Sequence, residues 1–186
     1  MRKVLAVVLA VAVLGFTAYT ADAQVANVQV YFDANFTQTQ AICGGVGIPQ
    51  DLFVVANNFG MFMSAIEYKV VLPPSLFYIA EVTTAPVIVG NALAGVAMSW
   101  AVPQDAFGAL GVSRIIATWQ CNDCAFDLVA DEPIVVVPHP ISGLVRAVRW
   151  PDNTLFNAFG LTSIVCADVV PTEETNWGKV KALYGN

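Results

Sequence analysis

The feature that most constrains this chain is the spacing of its apolar residues, which alternate or cluster in short runs and almost never recur at helical intervals. Over Asn27 to Asp33, Val28, Val30 and Phe32 alternate with Gln29, Tyr31 and Asp33. Over Phe62 to Leu72, one set (Phe62, Ser64, Ile66, Tyr68, Val70, Leu72) alternates with another (Met63, Ala65, Glu67, Lys69) until Pro73-Pro74 ends the run. A period of two places one set on a core face and the other on the opposite face of a strand, and proline cannot donate to a ladder. Further strands are predicted over 52–56, 76–82, 86–89, 95–101, 112–121, 134–137, 144–150 and 161–169, each bounded by Gly, Pro, Asn or Asp. Many short strands separated by turns predict an all-β sandwich or barrel. No internal repeat and no glycine-serine linker divides the body, so residues 24–170 are expected to form one domain of about nine strands once some candidates merge.

The two ends break the pattern. Arg2 and Lys3 precede an unbroken apolar run from Val4 to Phe16, and Ala21-Asp22-Ala23 has the small-x-small form of a cleavage site. Residues 1–23 therefore read as a signal peptide, helical and removed on export, because the run is shorter than the roughly 20 apolar residues of a spanning helix. The expected address is the periplasm, the cell surface or the extracellular medium. Residues 171–186 form a tail in which Trp177, Val180, Leu183 and Tyr184 can share one stripe of a short amphipathic helix capped at Thr175 or Asn176.

Charge narrows the partners. The formal net charge of −6 becomes one unit more negative once the leader with Arg2, Lys3 and Asp22 is gone. Few and scattered bases cannot neutralise a run of phosphates, so nucleic acid is an unsuitable partner, as is an anionic membrane surface. A transmembrane barrel would need longer strands, apolar on one face only, whereas Ile134-Val135-Val136-Val137 is apolar on both.

Four cysteines, Cys43, Cys121, Cys124 and Cys166, are an even number in a chain read as exported, which predicts two disulfides. Cys121-Asn122-Asp123-Cys124 has the spacing of a redox or zinc motif, but it follows a strand rather than opening a helix, and no second such pair or histidine cluster accompanies it. The favoured pairing links Cys43 to one member of the 121/124 pair and Cys166 to the other. His139 is the only histidine and stands between two prolines, with no GxSxG elbow anywhere, so it reads as part of a rigid connector. Glu67 and Glu81 lie on strands, and a paired-carboxylate hydrolase would need two acids to converge. Asp33, Asp123, Asp127, Asp131 and Asp152 fall in no calcium-loop pattern. Asn35-Phe36-Thr37 matches a glycosylation sequon, which in a bacterial chain reads as chance. No catalytic residue, cofactor site or metal site is assigned. Most of the tryptophans are expected in the core, and the two candidates for recognition are Trp150, at a strand end entering Pro151-Asp152-Asn153, and Trp177 in the tail.

The stretch from Ser64-Ala65-Ile66-Glu67-Tyr68-Lys69-Val70 through Leu72-Pro73-Pro74, Gly90-Asn91, Val96-Ala97-Met98-Ser99-Trp100 and Arg114 to Trp119 resembles the middle of cohesin-like and carbohydrate-binding-module-like sandwiches. The resemblance covers about a third of the chain. It implies an Ig-like or jelly-roll sandwich that binds a protein or a glycan and performs no catalysis. The leader, cysteine layout and tail also resemble those of small exported proteins of uncharacterised Gram-negative bacteria, and no dockerin-type calcium repeat is present. The expected function is a secreted, non-catalytic module for surface structure, adhesion or partner binding. The alternatives are a carbohydrate- or small-ligand-binding protein and, behind it, a secreted hydrolase.

Overall fold

The computed structural model describes residues 25–120 and 132–165. The signal segment, the tail with Trp177, and Cys121, Cys124 and Cys166 lie outside the described residues. Within them the chain is all-β, with twelve strands: β1 Asn27–Tyr31, β2 Gln40–Ala41, β3 Pro49–Asn57, β4 Phe62–Val71, β5 Leu76–Thr83, β6 Val87–Asn91, β7 Gly95–Asp105, β8 Leu110–Trp119, β9 Glu132–Val137, β10 Val145–Arg149, β11 Leu155–Gly160 and β12 Thr162–Val165. The expectation of about nine strands is thus corrected upward. All ten predicted runs contain a strand, and two more were not foreseen. β2 has two residues and is held only by parallel pairing with β12. β11, Leu-Phe-Asn-Ala-Phe-Gly, carries large apolar groups on both faces and so shows no alternation of polarity.

One layer is built on β5-β8-β3-β1 and the other on β6-β7-β4-β10-β11, with parallel pairing of β1 to β11 joining them at one side. β9 and β10 follow one another along β4, Val137 opposite Lys69 and Arg146 opposite Glu67, with loop 138–144 between them. The core between the layers includes Leu52, Val54, Met63, Ile66, Tyr68, Val70, Ile115 and Trp119, all essentially solvent-free. Trp100 is also buried, so both of these tryptophans take the packing role expected of them.

The alternation in β4 holds from Ile66 onward but not at its start. A register shift between Met63 and Ala65 buries Met63 and turns Phe62 outward, the reverse of the simple period-two reading. An extra residue in one strand moves every side chain before it to the other face.

Burying polar groups in such a core requires partners. Tyr68 on β4 is fully buried, and its hydroxyl meets that of Ser113 on β8 at 2.8 Å, tying one layer to the other. Burial pushes the Tyr68 phenol far above its ordinary pKa, so it stays protonated. Tyr68→Phe leaves the buried Ser113 hydroxyl without this partner and is expected to cost about 1–3 kcal/mol. The double variant Tyr68→Phe/Ser113→Ala should recover most of that loss. Urea unfolding of the three variants checks it, and equal losses in the single and double variants would sink the pairing argument.

Candidate functional site

The outer face of the β6-β7-β4-β10-β11 layer is the best-formed candidate surface. Pairing aligns its outward residues into rows across all five strands. Val87 is opposite Ser99, Ser99 opposite Ala65, Ala65 opposite Val148, and Val148 opposite Leu155. The adjacent row runs Val89, Ala97, Glu67, Arg146, Asn157 in the same way. These residues line most of a shallow depression of about 230 Å³. Small side chains in the middle strands and larger ones at Val87, Val89 and Leu155 make a concave, mostly apolar strip. Glu67 and Arg146 form an ion pair in the middle of it, and both side chains are largely buried. The pair neutralises the only two charges of these rows, so the face presents almost no net field.

The opposite layer is different on its outside. The turn after β1 folds back over it: Phe36 packs against Tyr31 and Phe53, with ring centroids 6.1 Å apart in both contacts. A side chain at Gly111 would meet the Phe36 ring, so β8 keeps a glycine beneath it. Asp33 holds this turn by accepting from the backbone N–H groups of Thr37 and Gln38 and from the Thr37 hydroxyl. Partial desolvation pulls the Asp33 carboxyl up, but these donated bonds outweigh it and hold the group below its ordinary value. Elsewhere this outer face mixes polar groups with the exposed Phe77 and Val82 of β5. Asn57 donates to Asn27 and to the Tyr31 hydroxyl, and Arg114 pairs with Asp51 at 3.3 Å. One layer is therefore partly covered by its own turn and mixed in polarity outside, whereas the other is left uncovered by the described residues and is mostly apolar.

Trp150, the recognition candidate among the described residues, stands at the turn between β10 and β11 and is 49% exposed. Its backbone N–H donates to the Phe62 carbonyl, and Phe62 and Phe107 are both exposed, with rings edge-on at 5.4 Å. The turn is held by Asp152, whose carboxyl is kept below its ordinary value chiefly by the Thr154 backbone N–H, which it accepts. The ring pairs found among the described residues are tilted or edge-on, so Phe62 and Phe107 do not form the coplanar platform that sugar stacking favours.

The remaining candidates are dispersed. His139 is buried in loop 138–144, where Nδ1 accepts from the Ile141 N–H and the ring packs against Gly95. Glu81 lies on β5, where it accepts from the Ala92 N–H. Glu67 is committed to Arg146. Among the described residues no group of three or more His, Cys, Asp or Glu could hold a metal ion, and no helix is long and apolar enough to cross a membrane. Cys43 is packed against the core and is not a free thiol.

Sequence reasoning missed the bare face. Glu67 and Arg146 are 79 positions apart, and only their cross-strand register reveals them as a pair.

No family model matches the sequence, and no curated protein matches it either. Among solved structures the fold is similar to that of a cohesin module from a Clostridium perfringens ATCC13124 family 33 glycoside hydrolase. That likeness has a TM-score of 0.53 at 8% identity and covers 76% of this chain and 95% of that one. The chain is also similar to the seventh ScaB type I cohesin from Pseudobacteroides cellulosolvens (TM-score 0.48, 13% identity, 80% of this chain and 96% of that one). A third likeness is to the third ScaB cohesin of R. flavefaciens, in complex with a group 1 dockerin (TM-score 0.48, 11% identity, 75% and 94%). At these identities the likeness concerns architecture alone, and the first of the three carries it: this chain is a cohesin-like β-sandwich.

Proposed function

We propose that this chain is an exported, non-catalytic protein-binding module whose partner docks on the outer face of β6, β7, β4, β10 and β11. The observation that carries the reading is the mostly apolar row Val87–Ser99–Ala65–Val148–Leu155, which the described residues leave uncovered, while the turn after β1 partly covers the other layer. A shallow strip of this kind suits the flat, desolvated centre of a protein interface rather than a substrate cleft. The commitment of Glu67 to Arg146 and of His139 to its own loop supports the absence of catalysis. Export rests on the leader of residues 1–23, and the body on residues 24–170.

The test is retention of partners from the extracytoplasmic fraction of the source cells by the immobilised protein. Val148→Lys/Leu155→Lys, which charges one end of the row, should weaken retention of the captured protein by roughly 30-fold, as for loss of an interface hot spot. Ile116→Lys, on the other layer, should leave it unchanged. Equal retention by both variants would remove the face from the proposal.

A glycan reading is favoured by one observation, the exposure of Trp150 beside Phe62 and Phe107. Binding on a glycan array that is lost in Trp150→Ala and kept in the Val148/Leu155 variant would replace the protein partner with a sugar.

A further inference from the structure

Among the described residues three strands end the layers without a neighbour on one side: β2, β5 and β6. Bare edges template pairing with other chains, and folded proteins blunt them by shortness, bulges, charge or proline. β2 is blunted by its length of two residues. β5 carries a register shift between Tyr78 and Ala80 and the acid Glu81. β6 has neither device within it. It pairs with β7 in unbroken register from Val87 to Asn91, carries no charge, and all five of its residues are exposed. Val87, Ile88 and Val89 are 57%, 44% and 69% exposed, so the strand is apolar on both sides and at its edge. Pro86 stands before it, and the hairpin at Gly90, where a side chain would strike the Gly95 carbonyl, holds the strand tightly to β7. The edge is therefore uncharged, unbroken in register and, among the described residues, without a neighbour.

We infer that β6 is a self-association edge, pairing antiparallel with β6 of a second copy about a two-fold axis at Ile88. The occupant follows from the strand itself. Val87-Ile88-Val89 reads the same in both directions, so antiparallel pairing about Ile88 sets each valine opposite a valine and the isoleucine opposite itself. A two-fold interface requires this kind of self-complementarity. The strand keeps the repulsion of two acidic chains away from the contact: it carries no charge, and the nearest charged residues of the outer face, Glu67 and Arg146, neutralise each other. Ile88 is opposite the inward-facing Met98, so the second copy would close the rim between the layers. A five-residue strand covers less than the roughly 1,000 Å² of a standard stable interface, so the dimer is weak and concentration-dependent. It joins two bare outer faces into one sheet and sets two docking strips side by side, which is a route to avidity.

Sedimentation equilibrium of the purified protein at concentrations up to about 1 mM tests the inference. The expected result is a monomer–dimer equilibrium that Ile88→Lys weakens at least about tenfold, because like charges then face each other across the axis. An equimolar mixture of Ile88→Lys and Ile88→Glu should associate again, while Ile79→Lys on the bulged β5 edge should match the unaltered protein. Ile88 and Val89 are exposed, so if Ile88→Lys fails to fold, Val89→Lys serves in its place. A protein that stays monomeric throughout, or one whose association is indifferent to these changes, overturns the inference. Partner retention by the Val148/Leu155 variant is a separate measurement, so either proposal can fail alone.

Discussion

Gly160→Ala is expected to remove about 4 kcal/mol, a large share of the stability of a domain whose whole margin is about 5–15 kcal/mol. A Cβ built at Gly160 lies 1.8 Å from the Val136 carbonyl oxygen and 2.5 Å from its carbon, both backbone atoms that no rotamer change can move. The glycine is not needed for its backbone angle, since it is absent from the positive-φ residues; it is needed for space. Gly160 ends β11 opposite Val28, and the chain then crosses to pair with β9 as β12. At the crossing the Leu161 N–H donates to Val28 and the Val136 N–H donates to Leu161, so three strands converge there. Making room for a methyl group requires β9 or β11 to shift, and both hydrogen bonds would lengthen, each worth about 1 kcal/mol in addition to the overpacking cost. Gly108→Ala is the control, because a side chain there meets nothing within 4 Å and the backbone angle is ordinary. Urea unfolding should lower the midpoint of Gly160→Ala by about 2 M and leave Gly108→Ala within about 1 kcal/mol of the parent. A Gly160→Ala protein as stable as the Gly108→Ala one would mean that the β1–β11–β9 junction is not as tight as described.

That junction also shows where reading the sequence stopped. Strands announce themselves through period two or through short apolar runs bounded by turn residues, and each of the ten predicted runs contains one. Gly160 carries no such signal. A glycine required for space looks like a glycine in any turn, and only the approach of Val136, 24 positions away, tells them apart. The same limit hid the candidate face. Ala65, Ser99 and Val148 are unremarkable along the chain, and they become a row only through pairing between distant strands. The place of Trp150 was legible because its signal is local: a strand end followed by a proline and two turn-forming residues. Local chemistry is readable from sequence, and cross-strand register is not.

The second large effect concerns the cysteines. Changing Cys43→Ser is expected to cost about 4 kcal/mol, moving the urea midpoint down by about 2 M, and reducing both bridges about twice that. The described backbone brings the flanks of all but one cysteine toward one end of the sandwich. Ala41 is opposite Val165, so Cys43 lies two residues beyond a strand partner and Cys166 one. The Gly47 N–H donates to the Trp119 carbonyl and a side chain at Gly44 would touch the Trp119 ring, which places the Cys43 segment on the residues that lead to Cys121. This placement supports the proposed pairing of Cys43 with one member of the 121/124 pair and Cys166 with the other. Each bridge would close a loop of tens of residues, for which the chain-entropy relation gives about 4 kcal/mol, whereas a bridge from Cys121 to Cys124 closes four residues and gives about 2 kcal/mol. Two measurements separate these cases. Peptide mapping of the unreduced protein should recover Cys43 joined to the segment holding Cys121 and Cys124. Unfolding with and without reductant should show the full shift of the midpoint. A mapped Cys121–Cys124 bridge, or a midpoint that reductant does not move, would return that pair to the redox or metal chemistry its spacing also allows.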